Sequence, residues 1–236
     1  MEKDALTKQN STLWERYTVP LDSYRIQSGL SLLPSTKKGR VLDIGCADGS
    51  LVKTLNEKGW NSFGIDLNFD NIKLALEKSV ISTLGDLSFD LPFRDHSFDV
   101  IVAFEVIEHL VDTRRFIKEC YRILNPNGYL ILTTPNLASF SNRIRLLSGK
   151  YPAWMDYELE SGSGHVRYYT SAILRSQSES LGFKFEKMTG SMLPVPGLSR
   201  FGKIGFGKFD LLRVLGLMLP NLSAHIICRL NKITIF

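Results

Sequence analysis

Cysteine, histidine and long apolar runs are the scarce features of this 236-residue chain. Its three cysteines, Cys46, Cys120 and Cys228, lie far apart and have no metal or redox spacing. That excludes a disulfide scaffold and a thiolate metal knuckle, and fits a reducing cytosol. The most apolar run, 211–219, is interrupted by Arg213 and is too short to span a bilayer. Residues 1–10 are polar and mixed in charge, without the apolar core of a secretory signal. Internal repeats and low-complexity tracts are absent as well. The expectation is one cytoplasmic domain over residues 1–236. What remains is 44% hydrophobic and 22% charged, enough for a sizeable core with a solvated surface. A net charge of +5 mildly favours anionic partners such as nucleic acid, acidic metabolites or lipid head groups.

The most informative stretch is Val41-Leu42-Asp43-Ile44-Gly45-Cys46-Ala47-Asp48-Gly49-Ser50. Residues 41–44 read as a buried strand, two glycines make a turn, and a helix begins near Ser50. Bare backbone at such a turn can approach a ligand closely. The spacing is D-x-G-x-x-x-G, not the G-x-G-x-x-G of dinucleotide folds. Asp43 and Asp48 suit a cationic ligand better than a pyrophosphate. Asp66 lies 21 residues after Gly45, at the end of a second strand, where a carboxylate can accept both ribose hydroxyls. Cys46, inside the turn, reads as a small filler and not a nucleophile.

Strands are expected near 40–44, 62–66, 80–84, 98–103 and 128–133, with helices near 49–58, 69–78 and 113–123. This alternation argues for a parallel α/β sheet with the first strand central. Residues 11–31 read as one or two helices that cover either a cofactor or the edge of the core. A helical stretch within 135–149, an aromatic loop over 150–164 and a helix over 170–181, capped by Thr170 or Ser171, follow the core. Strands over 183–188 and 225–232 close the pattern, and 190–221 reads as a decoration with a helix near 208–218.

The decapeptide resembles the first motif of class I S-adenosylmethionine-dependent methyltransferases. Phe63-Gly64-Ile65-Asp66, Gly85-Asp86-Leu87, Phe98-Asp99-Val100-Ile101-Val102-Ala103 and Leu124-Asn125-Pro126-Asn127-Gly128-Tyr129-Leu130 resemble later motifs of that family, in order. The resemblance implies a Rossmann-like, seven-stranded, mostly parallel sheet with an antiparallel seventh strand and helices on both faces. It implies S-adenosyl-L-methionine as donor, held by Asp43, Gly45, Cys46, Ala47, Asp48, Gly49, Asp66, Leu67, Asp86, Leu87, Phe104 and Glu105. Asp86 would bond the adenine amino group, with Leu87 against the ring. On this reading 1–37 is a leading helical cap, 38–135 the cofactor-binding core, 136–169 a substrate-side insertion and 190–221 a decoration before the last strand.

Methyl transfer needs donor and acceptor aligned and one proton removed from the acceptor. A cluster after the fourth strand, Phe104-Glu105-Val106-Ile107-Glu108-His109-Leu110, puts Glu105, Glu108 and His109 on one face if it forms a helical turn. His165 follows in Gly164-His165-Val166-Arg167-Tyr168-Tyr169. In one reading His109 or His165 is the base and no metal is needed, as in quinone- and phenol-type O-methyltransferases of similar sequence. In another, Glu105, Glu108, His109 and His165 hold a divalent metal, a set that resembles the ligands of small-RNA 2′-O-methyltransferases. In the plainest, Glu108 and His109 only hold a loop.

The histidine base is the first choice, with a small-molecule, lipid-linked or sugar hydroxyl as acceptor. A metal-dependent RNA enzyme and a non-catalytic cofactor-binding protein are the alternatives. The chain has no evident RNA-binding module, which counts against nucleic acid. Arg200, Lys203, Lys208, Arg213, Arg229 and Lys232 interleave with apolar residues. Residues 200–218 therefore suit either peripheral membrane contact or an ordinary amphipathic helix packed on the sheet.

Overall fold

The computed structural model describes residues 20–21, 23–35, 39–153, 164–198 and 210–233. Helix α1 (Tyr24–Leu30) precedes β1 (Arg40–Ile44), α2 (Ser50–Glu57), β2 (Asn61–Asp66), α3 (Phe69–Glu77), β3 (Ser82–Leu84) and β4 (Phe98–Phe104). After a single 3-10 turn at Ile107–His109 come α4 (Thr113–Ile123), β5 (Leu124–Pro135), α5 (Phe140–Leu147) and α6 (Ser171–Glu179). Strand β6 (Phe183–Gly190), α7 (Leu211–Met218) and β7 (His225–Lys232) complete the described chain.

The seven strands form one sheet in the order β3-β2-β1-β4-β5-β7-β6. Neighbours from β3 to β5 are parallel, and β7 runs antiparallel between β5 and β6. The expected sheet, including its antiparallel strand, is therefore present. Strand order reverses between β1 and β4, so a crevice opens above their carboxyl ends.

Alternate residues of each central strand serve opposite faces. Val41, Val100, Val102, Ile131 and Ile227 pack with Ile26, Leu51, Leu55 and Trp60, from the side of α1 and α2. Leu42, Ile101, Leu130, Leu132 and Cys228 pack with Phe116, Ile117, Cys120 and Leu174, from the side of α4 and α6. Burial on both faces is why these strands read as unbroken apolar runs and not as alternating ones.

Several boundaries differ from expectation for local reasons. Strand β3 begins only at Ser82, because Val80 packs instead with Val52, Ile72 and Ala75. Strand β5 begins at Leu124, not 128, since Phe98 pairs with Leu124 and Val100 with Tyr129. Residues 125–128 loop out between those pairs, so the turn signal lies inside the strand's span. Gly128 is required there: a Cβ would sit 2.9 Å from the Asn125 carbonyl oxygen and 3.0 Å from that of Asp99. Helix α7 starts at Leu211 because Asp210 caps it, accepting from Leu212 N at 3.0 Å and Arg213 N at 3.3 Å.

Three of the six basic residues read in the tail, Arg213, Arg229 and Lys232, are among the described residues. Arg213 lies over the Tyr24 ring at 4.8 Å. Arg229 is buried over Tyr129 and donates to the Leu32 carbonyl and to Glu186. Lys232 is buried and donates to the Leu124 carbonyl at 2.8 Å. Arg229 and Lys232 thus serve the interior, and Arg213 is half-buried against α1. Arg200, Lys203 and Lys208 lie outside the described residues, as do Trp154 and Tyr157. No helix of the described residues is long and apolar enough to cross a membrane.

Candidate active site

The turn after β1 has its backbone set by glycine. Gly45 and Gly49 both have φ of 74°, a left-handed value that costs other residues steric energy. Space excludes a side chain too: a Cβ on Gly45 would lie 2.9 Å from Val106 Cγ2, and one on Gly49 2.9 Å from the Ala75 Cβ. Gly45 N and Cys46 N both donate to the Ile65 carbonyl, at 2.8 and 3.1 Å, which locks the turn to β2.

Two acids face this turn. Asp43 is 3% exposed. Burial first, and the Asp66 charge second, push its carboxyl well above the usual carboxylate range. Asp66 ends β2 as expected. Its Oδ2 accepts from Ala47 N at 2.9 Å and its Oδ1 from Asn68 N at 2.8 Å, so it braces the turn from below. Asp48 departs from expectation. Burial opposes its ionisation, but hydrogen bonds from Lys78 and Ser50 outweigh this and hold its carboxyl below the ordinary value. Lys78 thus neutralises Asp48, which adds nothing to the acidity of the slot. Cys46 is buried beneath Gly64, where a Cβ would meet Sγ at 2.6 Å, and burial pushes its thiol far up. It fills space, as expected.

On the far side, Leu67 is 51% exposed and Asp86 Oδ1 accepts from Ser88 N at 2.8 Å. Leu87 packs at the margin of the core. Phe104 lies under α1: a Cβ on Gly29 would come within 2.5 Å of its Cζ.

The buried acid makes a pH-dependent prediction. Asp43 binds its proton more tightly when folded than when unfolded. Its contribution to stability is whole below the unfolded carboxylate range and is lost as pH rises through the raised folded value. Asp43→Asn should therefore raise Tm more at pH 8 than at pH 5, at about 2–4 °C per kcal/mol recovered. Thermal melts at the two pH values check this, and an equal shift at both would contradict it.

The segment after β4 corrects the expected helical turn. Glu105 has φ of +58°, a left-handed value that interrupts the helical spacing ahead of Glu108 and His109. Its Oε2 receives Arg25 Nη1 at 2.9 Å, and its Oε1 receives Thr133 Oγ1 at 2.8 Å. Among the described residues, the group that could hold an ion is Glu108, His109 and His165, with one ligand atom from each within 4.8 Å of the others. Glu105 does not belong to it, so the expected four-residue set is not assembled.

His109 and His165 lie with ring centroids 4.8 Å apart. His109 Nδ1 is 3.1 Å from the Gly164 carbonyl oxygen. A carbonyl only accepts, so Nδ1 carries the proton and Nε2 of the neutral ring carries the lone pair. Glu108 is 1% exposed. Burial, then the Glu105 charge, raise its carboxyl well above normal. Its Oε2 accepts from Thr134 Oγ1 at 3.1 Å, while Oε1 is buried with no hydrogen-bond partner.

Sequence reasoning missed the other wall. Arg25 of α1 reaches Glu105, and His225 at the start of β7 lies with Nε2 3.8 Å from the same carboxylate. His225 Nδ1 is 2.9 Å from Ser191 Oγ, at the end of β6. Burial first, against the opposing Glu105 charge, lowers the His225 pKa, so the ring stays neutral. The available signal was the sheet order, because an antiparallel β7 brings its first residue to the carboxyl ends of β4 and β5.

Glycine turn, strand-end acids and sheet order together define a nucleotide-type donor slot with a second, polar compartment beside it. A methyltransferase-domain family model matches residues 18–187, and the chain belongs to that family, the class I S-adenosylmethionine-dependent methyltransferases. It is similar to the mitochondrial ubiquinone biosynthesis O-methyltransferase of Rattus norvegicus, 35% identical over 111 residues, 43% of this chain and 32% of that one. It is likewise 35% identical over 117 residues to the ubiquinone biosynthesis O-methyltransferase of Bradyrhizobium diazoefficiens, 48% of this chain and 46% of that one. The matched segments thus span less than half the length of these curated relatives. A crystal structure of an S-adenosylmethionine-dependent methyltransferase from Thermotoga maritima superimposes with a TM-score of 0.65 at 22% identity, covering 98% of this chain and 93% of that one. That likeness concerns the fold.

Proposed function

We propose that this chain transfers the methyl group of S-adenosylmethionine to a hydroxyl oxygen of a small molecule, with His109 as the base. The observation that carries the reading is His109 Nδ1 held 3.1 Å from the Gly164 carbonyl oxygen, which fixes the ring's orientation and makes Nε2 the basic nitrogen of its neutral form. His165 is the second candidate, and the buried Glu108 lies beside both rings. The donor fits the slot: the Asp66 carboxylate and the buried Asp43 carboxyl flank bare backbone at Gly45 and Gly49. Asp43 and the turn 45–49 would hold the methionine portion, Asp66 the ribose, and Leu67, Asp86 and Leu87 the adenine. Phe104 and Glu105 would border the methionine end. The bound sulfonium supplies an already activated methyl carbon. The side chains need only align the acceptor, take its proton and keep water out. The leading segment 1–37 would close over the donor and the insertion 136–169 over the acceptor. The relatives are O-methyltransferases, which supports oxygen as the methylated atom.

A second reading has a specific observation behind it. The orphan Oε1 of Glu108, next to His109 and His165, is a donor set that suits a divalent ion, which would lower the pKa of an acceptor hydroxyl. Methyl transfer to a phenolic acceptor, followed as S-adenosylhomocysteine release with and without a chelator, separates the two. Activity insensitive to chelator supports the histidine base, loss restored by Mg²⁺ or Zn²⁺ supports the ion, and absence of donor binding removes both. A cytoplasmic location, with membrane contact through 200–218, belongs to the same proposal. It is supported by the exposed Leu217 and Met218 and tested by co-sedimentation with anionic vesicles.

A further inference from the structure

Lys78 belongs to none of the motifs read from the sequence, yet it reaches the glycine turn. The end of α3 puts it there. Ser79 has a left-handed φ of 60°. Its N donates to the Leu76 carbonyl at 2.9 Å, and Val80 N donates to that of Ala75 at 3.0 Å, a pair of bonds that stops the helix at Lys78. Val80 then turns inward and packs with Cys46, Val52, Ile72 and Ala75. Helix end and glycine turn share this small apolar cluster, so Lys78 is anchored beside the turn before any charge is counted.

The Lys78 ammonium donates to Asp48 Oδ2 and, at 2.7 Å, to Ser50 Oγ. Asp48 Oδ1 accepts from Ser50 N at 3.1 Å. One cation thus ties the acid of the turn to the first residue of α2. The Lys78 and Asp48 side chains are 33% and 21% exposed, so water and salt screen them only in part.

The other acids at this end of the slot are held differently. Burial drives Asp43 toward its neutral form, and Glu105 is paired with Arg25 at 2.9 Å. With Asp48 cancelled by Lys78, the Asp66 carboxylate, whose described hydrogen bonds come from uncharged N–H groups, is left to meet a cation. S-adenosylmethionine carries one more positive charge than S-adenosylhomocysteine, on sulfur. An unpaired charge at Asp48 or Lys78 would therefore act on the difference between the two, whereas a distorted turn would weaken both together. Asp48 is three residues from Gly45, at most about 11 Å along the chain. Over roughly 10 Å, one unit charge changes the affinity for a cation by about two- to fifteenfold, across effective dielectrics of about 80 to 20.

We infer that the Lys78–Asp48 pair sets the preference of this protein for methyl donor over demethylated product, with Lys78 a positioning residue that holds the turn while keeping its charge neutral. Cancelling Asp48 narrows that preference, so the product competes for the slot as it accumulates. The inference rests on the donor assignment of the methyl-transfer reading and adds to it the control of product inhibition by a residue outside the slot.

The test is calorimetric titration of the full chain, at low salt, with S-adenosylmethionine and with S-adenosylhomocysteine. Binding of neither by the wild type would reject the methyl-transfer reading itself, and this inference with it. Given binding, Lys78→Met should raise the ratio of product to donor dissociation constants by about two- to fifteenfold, and Asp48→Asn should lower it by a similar factor. The double variant K78M/D48N and the charge-keeping Lys78→Arg should both return the ratio to near the wild-type value. High salt should shrink both single-variant shifts. Circular dichroism melts confirm that the variants fold, and where one single variant is unfolded the sign of the other decides. A ratio that stays at the wild-type value in the folded single variants, or that moves the same way in both, would overturn the inference and leave Lys78 as a prop for the turn alone.

Discussion

Alanine at His109 is expected to lower kcat by on the order of 10²–10⁴-fold, the usual contribution of a positioned proton acceptor. The dissociation constant for S-adenosylhomocysteine should stay as in the wild type. The expected split follows from where the side chain sits. His109 lies in the 3-10 turn after β4, with Nδ1 directed at Gly164, while the proposed donor slot is built from β1, β2 and their turns. Removing the ring therefore removes a proton acceptor and leaves the glycine turn intact. His109→Gln is the useful companion. Glutamine can still donate to the Gly164 carbonyl and so keep the loop in place, but it cannot take a proton. If the glutamine variant regains wild-type turnover, His109 is only a loop tether and the base must be sought at His165. If both variants lose turnover and donor affinity in parallel, the turn has collapsed and the assignment fails.

The glycine turn and strand-end acid of the proposed donor half were legible in the sequence because they are written in backbone-determined positions. A left-handed φ at Gly45 and Gly49 demands glycine, and a strand end demands a fixed interval to the next acid, so order and spacing carry the information. The sheet was legible for a related reason: Val41, Leu42, Val100 and Ile101 are buried on both faces and cannot be polar. The acceptor half was only partly legible. His109 and His165 were found, and the structure does bring them together. Glu105 was grouped with them on the assumption of helical spacing, which its φ of +58° breaks. Asp48 was taken for a ligand-facing acid, although Lys78, thirty residues on, neutralises it. Arg25 and His225 were missed because they meet Glu105 across separations of 80 and 120 residues, and no local pattern encodes such a contact. The burial of Arg229 and Lys232 was hidden for the same reason, since the carbonyl groups they donate to come from distant segments.

Removing the Asp66 carboxylate should weaken S-adenosylhomocysteine binding by on the order of 10²–10⁴-fold, since hydrogen bonds to a charged partner each contribute about 1.5–3 kcal/mol and a ribose diol makes two. Part of that loss would arise indirectly. Asp66 Oδ2 already accepts from Ala47 N, and Oδ1 accepts from Asn68 N and from Asn71 Nδ2 at 3.2 Å, so the carboxylate also shapes the turn that meets the donor. Asp66→Asn separates the two contributions. Its amide oxygen can keep one backbone bond, but its NH₂ cannot accept a ribose hydroxyl's proton, so affinity should fall to a level between wild type and alanine while Tm stays near wild type. Calorimetric titration of both variants, with melts alongside, reads the outcome. An Asp66→Ala protein that melts lower yet binds S-adenosylhomocysteine as tightly as wild type would mean that the carboxylate only braces the turn. The ribose would then have to be held elsewhere along the sheet's edge, and the assignment of β2 to the middle of the donor would fail with it.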